Sequence, residues 1–315
     1  MKYYIGVDLG GTNIACGVVT QDGKLLARHS VLTARARPAE EIIADMVAAS
    51  NEAIKMAGID WREIEGLGIG VPGAVNDATG MVLRTTNLDW YCLPLAKIIQ
   101  QKVSVPVHLG NDADCAALGE VVSGCASKYS SAAMITIGTG IGGGLICDKK
   151  VFAGWAGGGT EPGHIPLLLG GEPCGCGNQG CFEAYASATA LTRQTKRAMQ
   201  ENPNSALWRV APLLEEVNAK TPFDAALLND ATAIAVLDQY EEYLAAGIGG
   251  IVNLVRPEAI IIGGGVSCQG DTLLIPLREK LKKYCYASEF IAPPVVVSAT
   301  LGNDAGIIGA AMLAR

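Results

Sequence analysis

The chain has 315 residues, of which 50% are hydrophobic and 17% charged, and it contains 39 glycines. This composition is typical of a globular α/β protein with many tight turns, and the length favours two domains. A net charge of -7 without a cluster of basic residues argues against nucleic-acid binding, and neither an apolar leader nor a run of about 18 apolar residues occurs. We therefore expect a cytoplasmic protein that binds neither nucleic acid nor membrane.

The N-terminal third predicts strands followed by a helix. The segments YYIGVDL, IACGVVT and KLLARHS alternate in apolar character and predict a three-stranded meander. A helix should begin at about Pro38 and end at Gly58, because proline favours a first helical turn and glycine a helix end. We then expect a buried strand (IEGLGIGVP), a loop rich in Gly, Asn and Asp, a short helix over about 94–102, and the strand VPVHLG.

The second half begins with the same pattern as the first. The strand SAAMITIG, a glycine-rich loop over 138–144 and the strand LICDKK repeat the order of strands around the segment DLGGTN at 8–13. A Gly/Cys-rich insertion over 154–181, several helices, two further strands and a terminal helix from Asp304 follow. This weak repeat predicts two α/β domains of ribonuclease-H-like form with a cleft between them. We expect a smaller domain over 1–118 with 300–315, and a larger one over 119–299.

Three glycine-rich turns follow predicted strands, near Gly10, Gly140 and Gly264. Glycine lets backbone N–H groups converge on a phosphate without obstruction by side chains. One such turn alone is more often an ordinary tight turn, but three together indicate a phosphate site. No P-loop motif is present, and the first glycine turn leads into a strand rather than a helix. Asp8 could hold Mg²⁺ beside this turn or only accept hydrogen bonds from it, and the residues leave both roles open.

Six motifs in order resemble the ROK family, whose name stands for repressors, open reading frames and sugar kinases. They are DLGGTN at 8–13, GNDAD at 110–114, IGTGIGGG at 137–144, EPGH at 161–164, CGCGNQGC at 174–181 and LGNDAGIIGAAM at 301–312. The resemblance spans nearly the whole chain. It implies an actin-like, two-domain sugar kinase fold with ATP between the domains.

The resemblance also implies roles for particular residues. ATP and Mg²⁺ should be bound by residues of the glycine turns, namely Asp8, Gly10, Gly11, Thr12, Asn13, Gly138, Thr139, Gly140, Gly142, Gly264 and Gly265. Asp112 should be the catalytic base, which accepts the proton of the attacking hydroxyl. Asp112 alone, at a strand-to-helix junction, would more readily be interpreted as a helix N-cap.

Cysteines and a histidine form a candidate metal site. Cys174, Cys176 and Cys181, with His164 ten residues before the first of them, supply the ligands of a closed Cys₃His zinc site. The alternative is three structural thiols beside an unrelated histidine. A saturated zinc ion has no open position for substrate, so we expect a structural Zn²⁺ that stiffens the glycine-rich loop.

Polar residues near this loop are candidate sugar ligands. In related kinases the residues that match Glu161, His164 and Glu183 bind ring hydroxyls, as do those that match Asn87 and Asn111, while Asp112 faces the reacting hydroxyl. For Glu183 the alternative is a favourable charge near the N-terminus of a helix.

The resemblance favours an ATP-dependent hexose kinase, with glucose as the expected acceptor because YASATAL at 185–191 resembles bacterial glucokinases. Kinases of N-acetylmannosamine, N-acetylglucosamine, allose or fructose stay alternatives. A sugar-responsive regulator is a remote alternative, since Asp8 lies too near Met1 for a preceding DNA-binding domain, and a catalytically idle sugar-binding protein is another. Related kinases suggest a homodimer or a higher homo-oligomer.

Overall fold

The structure is a computed structural model, and it describes residues 2–85 and 87–315. Its strands are β1 (Tyr3–Leu9), β2 (Asn13–Thr20), β3 (Leu25–Leu32), β4 (Ile64–Val71), β5 (Gly73–Asn76), β6 (Met81–Thr85), β7 (Tyr91–Leu93), β8 (Val107–Asn111), β9 (Ala132–Ile137), β10 (Ile141–Cys147), β11 (Lys150–Val151), β12 (Ala259–Gly263) and β13 (Val295–Ser298). Its α-helices are α1 (Ala39–Ala57), α2 (Leu95–Gln100), α3 (Asp112–Val122), α4 (Glu183–Ala186), α5 (Ala188–Glu201), α6 (Leu207–Val210), α7 (Thr221–Ala226), α8 (Ala231–Val255), α9 (Asp271–Tyr284) and α10 (Asp304–Leu313). None of the helices in these residues is both long and apolar enough to cross a membrane.

The chain forms two compact units. The first comprises Met1–Met134, Gly144–Thr160 and Ala299–Arg315, and the second comprises Ile135–Gly143 and Glu161–Ser298. The domain limits predicted from the sequence, 1–118 with 300–315 and 119–299, stay a prediction.

The first sheet has the strand order β3-β2-β1-β4-β8. Strand β2 runs antiparallel to β1 and β3, whereas β1, β4 and β8 are parallel. The predicted meander is therefore confirmed, and it continues into parallel strands as in a ribonuclease-H-like domain. A second sheet has the order β11-β10-β9-β12-β13. The order matches that of the first sheet when β9, β10 and β11 are paired with β1, β2 and β3, and β12 and β13 with β4 and β8. The predicted internal repeat is therefore confirmed.

Helix α1 covers one part of the first sheet. It has Pro38 at its N-terminal boundary and Gly58, with φ 70°, at its C-terminal boundary, as the sequence predicts. Its buried residues, which include Ile42, Ile43 and Met46, pack against β2 and β3. The helix thus closes the apolar core of this sheet.

Helix α10 packs against β1 and β4 of the same unit, as predicted for the terminal helix, and also against α3. Glycines allow this close approach. A Cβ on Gly68 would lie 1.8 Å from the carbonyl oxygen of Ala310, and one on Gly309 would lie 1.6 Å from that of Cys115. Because no side chain fits there, the backbones of α3 and α10 are in direct contact.

Two segments differ from the sequence prediction. The expected Gly/Asn/Asp-rich loop contains a three-stranded sheet of order β5-β6-β7, whose strands have at most five residues and show little apolar alternation. The expected loop over 138–144 is shorter than predicted, because β10 already begins at Ile141. A Cβ on Gly144 would lie 2.9 Å from that of Ala117, so this glycine leaves room for α3.

Helix α8 is the central helix of the second unit. It packs against α4, α5, α7 and α9, and its buried residues include Tyr240, Leu244 and Ile248. The Tyr240 hydroxyl donates a 2.8 Å hydrogen bond to the carbonyl of Ala186 at the end of α4. This bond fixes the short helix that begins with Glu183.

Candidate active site and metal centre

The first glycine turn joins β1 to β2. Gly10 N–H donates to the carbonyl of Asn13 at 2.9 Å. Thr33, which is fully buried, donates its hydroxyl to the Gly10 carbonyl at 2.6 Å and its N–H to the Thr12 carbonyl at 2.8 Å. Thr33 follows β3 and carries no motif, so the sequence did not single it out. Thr33 binds the carbonyl groups of the turn, and the backbone N–H of Gly11 takes no part in these bonds.

Asp8 and Asn87 lie beside this turn. Burial first, and then the negative charge of Asp112, raise the pKa of the Asp8 carboxyl from 3.8 to about 6. Asn87 places its Cβ 3.4 Å from the position that a Cβ would take on Gly11. The structure thus brings together in one unit two predicted ligands that are far apart in the sequence.

Asn111 and Asp112 lie where β8 ends and α3 begins. The Asn111 side chain caps the helix, because its Oδ1 accepts from the N–H of Ala113 at 2.8 Å and of Asp114 at 3.2 Å. Its Nδ2 donates to the Gly73 carbonyl at 3.1 Å. The N-cap role considered for Asp112 thus belongs to Asn111. Asp112 is the first helical residue, and its charge acts on Asp8.

The second glycine turn joins β9 to β10 in the other unit. Gly138 N–H donates to the Gly140 carbonyl at 3.0 Å, and the Gly138 carbonyl accepts from Ala188 N–H at 2.9 Å. Glu183 Oε2 accepts from Ile141 N–H at 2.8 Å. A Cβ on Gly140 would lie 2.1 Å from this oxygen, so a larger residue here would displace the Glu183 carboxylate from its bond to Ile141. Helices α4 and α5 therefore hold the turn that contains Thr139, and Gly142 follows in β10.

The third glycine turn follows β12. Gly264 has φ +80°, a conformation that favours glycine, and a Cβ there would lie 2.4 Å from the carbonyl oxygen of Ile137 at the end of β9. Around Gly265 no atom would lie within 4 Å of an added Cβ. Within the second unit, the third turn therefore packs against the strand that leads into the second turn, with an open face at Gly265.

The EPGH motif forms a short 3₁₀ helix, Pro162–His164, which Glu161 precedes. A Cβ on Gly163 would lie 2.2 Å from the Ile141 carbonyl oxygen, so the motif packs against the start of β10. Glu161 is exposed and His164 half-buried. The close contact at Gly163 fixes the distance of this motif from the second glycine turn.

His164, Cys174, Cys176 and Cys181 come together as predicted. One potential ligand atom from each lies within 4.8 Å of all the others. Cys174 Sγ lies 3.7 Å from His164 Nδ1, and the Sγ atoms of Cys176 and Cys181 are also 3.7 Å apart. Zinc bonds of about 2.3 Å to sulfur and about 2.1 Å to nitrogen, at tetrahedral angles, place ligand atoms about 3.6 to 3.8 Å apart. The four side chains therefore fit a tetrahedral metal ion.

Glu183 begins α4 and lies between the metal centre and the second glycine turn. While its Oε2 binds Ile141 N–H, its Oε1 lies 3.5 Å from Cys174 Sγ. The sequence suggested two roles for Glu183, a sugar ligand and a charge at a helix N-terminus, and neither involves the glycine turn. The structure adds a bond to the glycine turn, which the sequence could not indicate because 42 positions separate the partners.

Comparisons with known proteins identify the family of this chain. The model of the ROK family matches residues 4–315. A glucokinase of Streptomyces coelicolor is 37% identical over 318 residues, which cover 100% of this chain and 98% of that protein. A xylose repressor of Caldicellulosiruptor bescii is 30% identical over 307 residues, which cover 97% of this chain and 76% of the repressor.

A solved structure is also similar over its whole length. The ROK family glucokinase from Streptomyces griseus, crystallised with glucose and AMPPNP, has 37% sequence identity and a TM-score of 0.78, and the match covers 99% of each chain. The predicted actin-like sugar kinase fold is thereby confirmed. Together with the family match over residues 4–315, this shows that the chain belongs to the ROK family.

Proposed function

We propose that the protein is an ATP-dependent glucokinase, which transfers the γ-phosphoryl group of ATP to the 6-hydroxyl of glucose. The full-length similarity to glucokinases supports this substrate. The observation that carries the proposal is the position of Asp112. It starts α3, Asn111 takes over the capping of that helix, and Asp8 and the first glycine turn lie in the same unit.

Asp112 is the proposed general base. In phosphoryl transfer the enzyme mainly positions the reactants and stabilises charge, while one carboxylate orients the attacking hydroxyl and accepts its proton. The cap formed by Asn111 and its bond to Gly73 fix the start of α3, and with it the backbone of Asp112. The carboxylate can then meet the 6-hydroxyl without a large loss of conformational freedom.

Asp8 is the proposed Mg²⁺ ligand, directly or through water. Its raised pKa shows a carboxyl that is buried and lies in the field of a second negative charge, and a divalent cation would relieve both effects. Bound Mg²⁺ would neutralise charge on the ATP phosphates. The first glycine turn, with Gly10, Gly11, Thr12 and Asn13, would bind the phosphates through backbone N–H groups such as that of Gly11, while the bond from Gly10 N–H to the Asn13 carbonyl shapes the turn.

Residues of the second and third glycine turns are further proposed ATP ligands, as the family resemblance implies. Thr139, Gly140 and Gly142 would offer backbone donors in and after the turn that Glu183 and Ala188 hold, while Gly138, whose N–H binds the Gly140 carbonyl, would shape the turn. Gly264 and Gly265 would receive the nucleoside, where the open face at Gly265 leaves space for it.

The proposed sugar ligands are Asn87, Asn111, Glu161, His164 and Glu183. A zinc ion bound by His164, Cys174, Cys176 and Cys181 would be structural, since four protein ligands leave it no open position. His164 turns its Nδ1 toward Cys174, so its other nitrogen can bind a sugar hydroxyl. Zinc would thus hold both His164 and the nearby Glu161 for the sugar. We also propose a cytoplasmic homodimer or higher homo-oligomer, as family resemblance implies.

The test is coupled ADP release with MgATP and a panel of glucose, N-acetylglucosamine, N-acetylmannosamine, allose, mannose and fructose. Asp112→Asn should lower kcat on glucose by about 10²- to 10⁴-fold, the usual contribution of a general base. Asp271→Asn is the matched control, because the Asp271 side chain is 78% exposed in α9.

Each outcome has a separate meaning. Preference for another sugar would keep the mechanism and replace the substrate. No turnover on any sugar, with the protein folded and sugar bound, would overturn the kinase proposal and favour a sugar-responsive role like that of the xylose repressor. Equal kcat for wild type and Asp112→Asn would remove Asp112 from the mechanism.

A further inference from the structure

Glu120 is a fully buried carboxylate in the last turn of α3. Its Oε1 accepts from the N–H groups of Thr300 and Leu301, at 2.7 Å each. Its Oε2 accepts from Cys125 N–H at 3.0 Å and from the Thr300 hydroxyl at 3.2 Å. A Cβ on Gly124 would lie 1.9 Å from Oε2, so the turn after α3 needs glycine to wrap around this side chain.

The residues bound to Glu120 have a particular place along the chain. Ser298 is the last residue of the second unit, and Ala299 begins the final segment of the first. Thr300 and Leu301 lie directly after this boundary, in the crossing segment that leads from the second unit into α10. Burying a carboxylate is unfavourable unless hydrogen bonds replace its hydration, and four donors do so here, three of them from Thr300 and Leu301. The charge therefore joins the end of α3 to the start of the final segment rather than only filling space.

Helix α3 is fastened to the same segment along its length. A Cβ on Gly119 would lie 2.3 Å from the Ala305 carbonyl oxygen, and the contact of Gly309 with Cys115 is closer still. Asp112, at the other end of α3, lies eight residues or about 12 Å from Glu120 along the helix axis. A displacement of the final segment would therefore displace the helix that carries Asp112.

We propose that Glu120 is a positioning residue for Asp112: it fastens α3 to residues 300–301, so that the helix and its N-terminal carboxylate move with the segment that leads into α10. This inference rests on the proposed role of Asp112 as the base. Glu120 does not touch the reacting atoms. It determines where the base lies when the crossing segment moves.

The test compares Glu120→Gln, Thr300→Val and the control Glu279→Gln, whose side chain is 68% exposed. Glu120→Gln keeps the size of the side chain but places an NH₂ group opposite the N–H of Cys125. Thr300→Val removes only the hydroxyl bond and should fold even where Glu120→Gln does not. The measurements are kcat and KM, glucose affinity by calorimetry, folded fraction, and hydrogen exchange of the peptide that contains Thr300 and Leu301.

We expect Glu120→Gln to lower kcat at least tenfold, since a misplacement of about 1 Å can cost about 10²-fold. The dissociation constant of glucose should change less than kcat does, because four of the five proposed sugar ligands lie outside α3 and only Asn111 caps it. Exchange at residues 300–301 should be faster in both variants, by a factor of about two to ten in Thr300→Val, which loses one hydrogen bond. Glu279→Gln should match the wild type in every measurement.

A structural role alone would overturn the inference. In that case kcat per folded molecule would be unchanged in Glu120→Gln, or in Thr300→Val if the first variant does not fold, while only stability fell. If the wild type turns over no sugar, the proposed function fails instead. Hydrogen exchange would still show whether Glu120 anchors residues 300–301, and unchanged exchange would refute the anchor itself.

Discussion

Replacement of Cys176 by serine should open the loop between His164 and Cys181. Gly180 is the only residue buried between these two positions, so this segment has almost no apolar core of its own. The proposed zinc ion closes a loop of 18 residues, from 164 to 181. The chain-entropy relation for a cross-link over such a loop gives about 3 kcal/mol of stabilisation at 25 °C. Cys176→Ser should lose this stabilisation along with the metal.

The assay combines metal content, limited proteolysis and sugar affinity. The wild type should hold one zinc ion per chain, and chelation should make residues 165–180 susceptible to protease, because a loop without a core opens before the rest of the unit. Cys176→Ser should be susceptible without chelator and should bind glucose more weakly. Cys147→Ser is the matched control, because Cys147 is an exposed thiol outside the cluster.

The reasoning would be refuted by a metal-free Cys176→Ser protein whose loop resists protease as well as the wild type. It would also be refuted if chelator destabilised wild type and Cys176→Ser equally, because the metal would then act elsewhere. Loss of metal with intact proteolytic resistance would mean that contacts of the loop with the rest of its unit are sufficient to hold it.

Two further predictions concern stability. Because burial and the charge of Asp112 raise the pKa of Asp8 from 3.8 to about 6, the folded state retains this proton more tightly than the unfolded state. The free energy of unfolding should therefore fall as pH rises from about 4 to 6, and Asp8→Asn should reduce that slope in denaturant titrations, whereas an identical slope would contradict the shift. Gly309→Ala should destabilise the protein by about 3 kcal/mol or more, since its Cβ would lie 1.6 Å from the Cys115 carbonyl oxygen. Gly250→Ala, in an exposed part of α8 where the nearest atom would be 3.9 Å away, should be neutral or stabilising by up to about 1 kcal/mol, and equal thermal shifts for the two variants would refute this distinction.

Local patterns predicted much of the fold. The meander was predicted by alternating apolar residues, α1 by its boundaries at Pro38 and Gly58, and the metal cluster by cysteines crowded into one loop. Such features depend on neighbours in the sequence. The small sheet of β5, β6 and β7 was missed because its strands are short and rich in turn-forming residues, so pairing rather than propensity determines it.

Contacts between distant residues could not be predicted. Thr33 holds the first glycine turn from 23 positions away, and Glu120 binds Thr300 across 180 positions. Glu120 stands among apolar residues of α3, which indicates in the sequence that it is buried. The sequence does not indicate that its partner is Thr300. Asn111 and Asp112 are a similar case, since either could cap a helix and only the geometry assigns the cap to Asn111.

The shared strand order of the two sheets has a consequence for how members of this family can diverge. Between β3 and β4 the first unit has little more than α1, whereas between β11 and β12 the chain includes the metal loop and helices α4 to α8. The proposed sugar ligands Glu161, His164 and Glu183 all lie in that longer connection. Sugar selectivity can therefore change through insertions and substitutions in one connection, while the hairpins that would hold the phosphates keep their geometry.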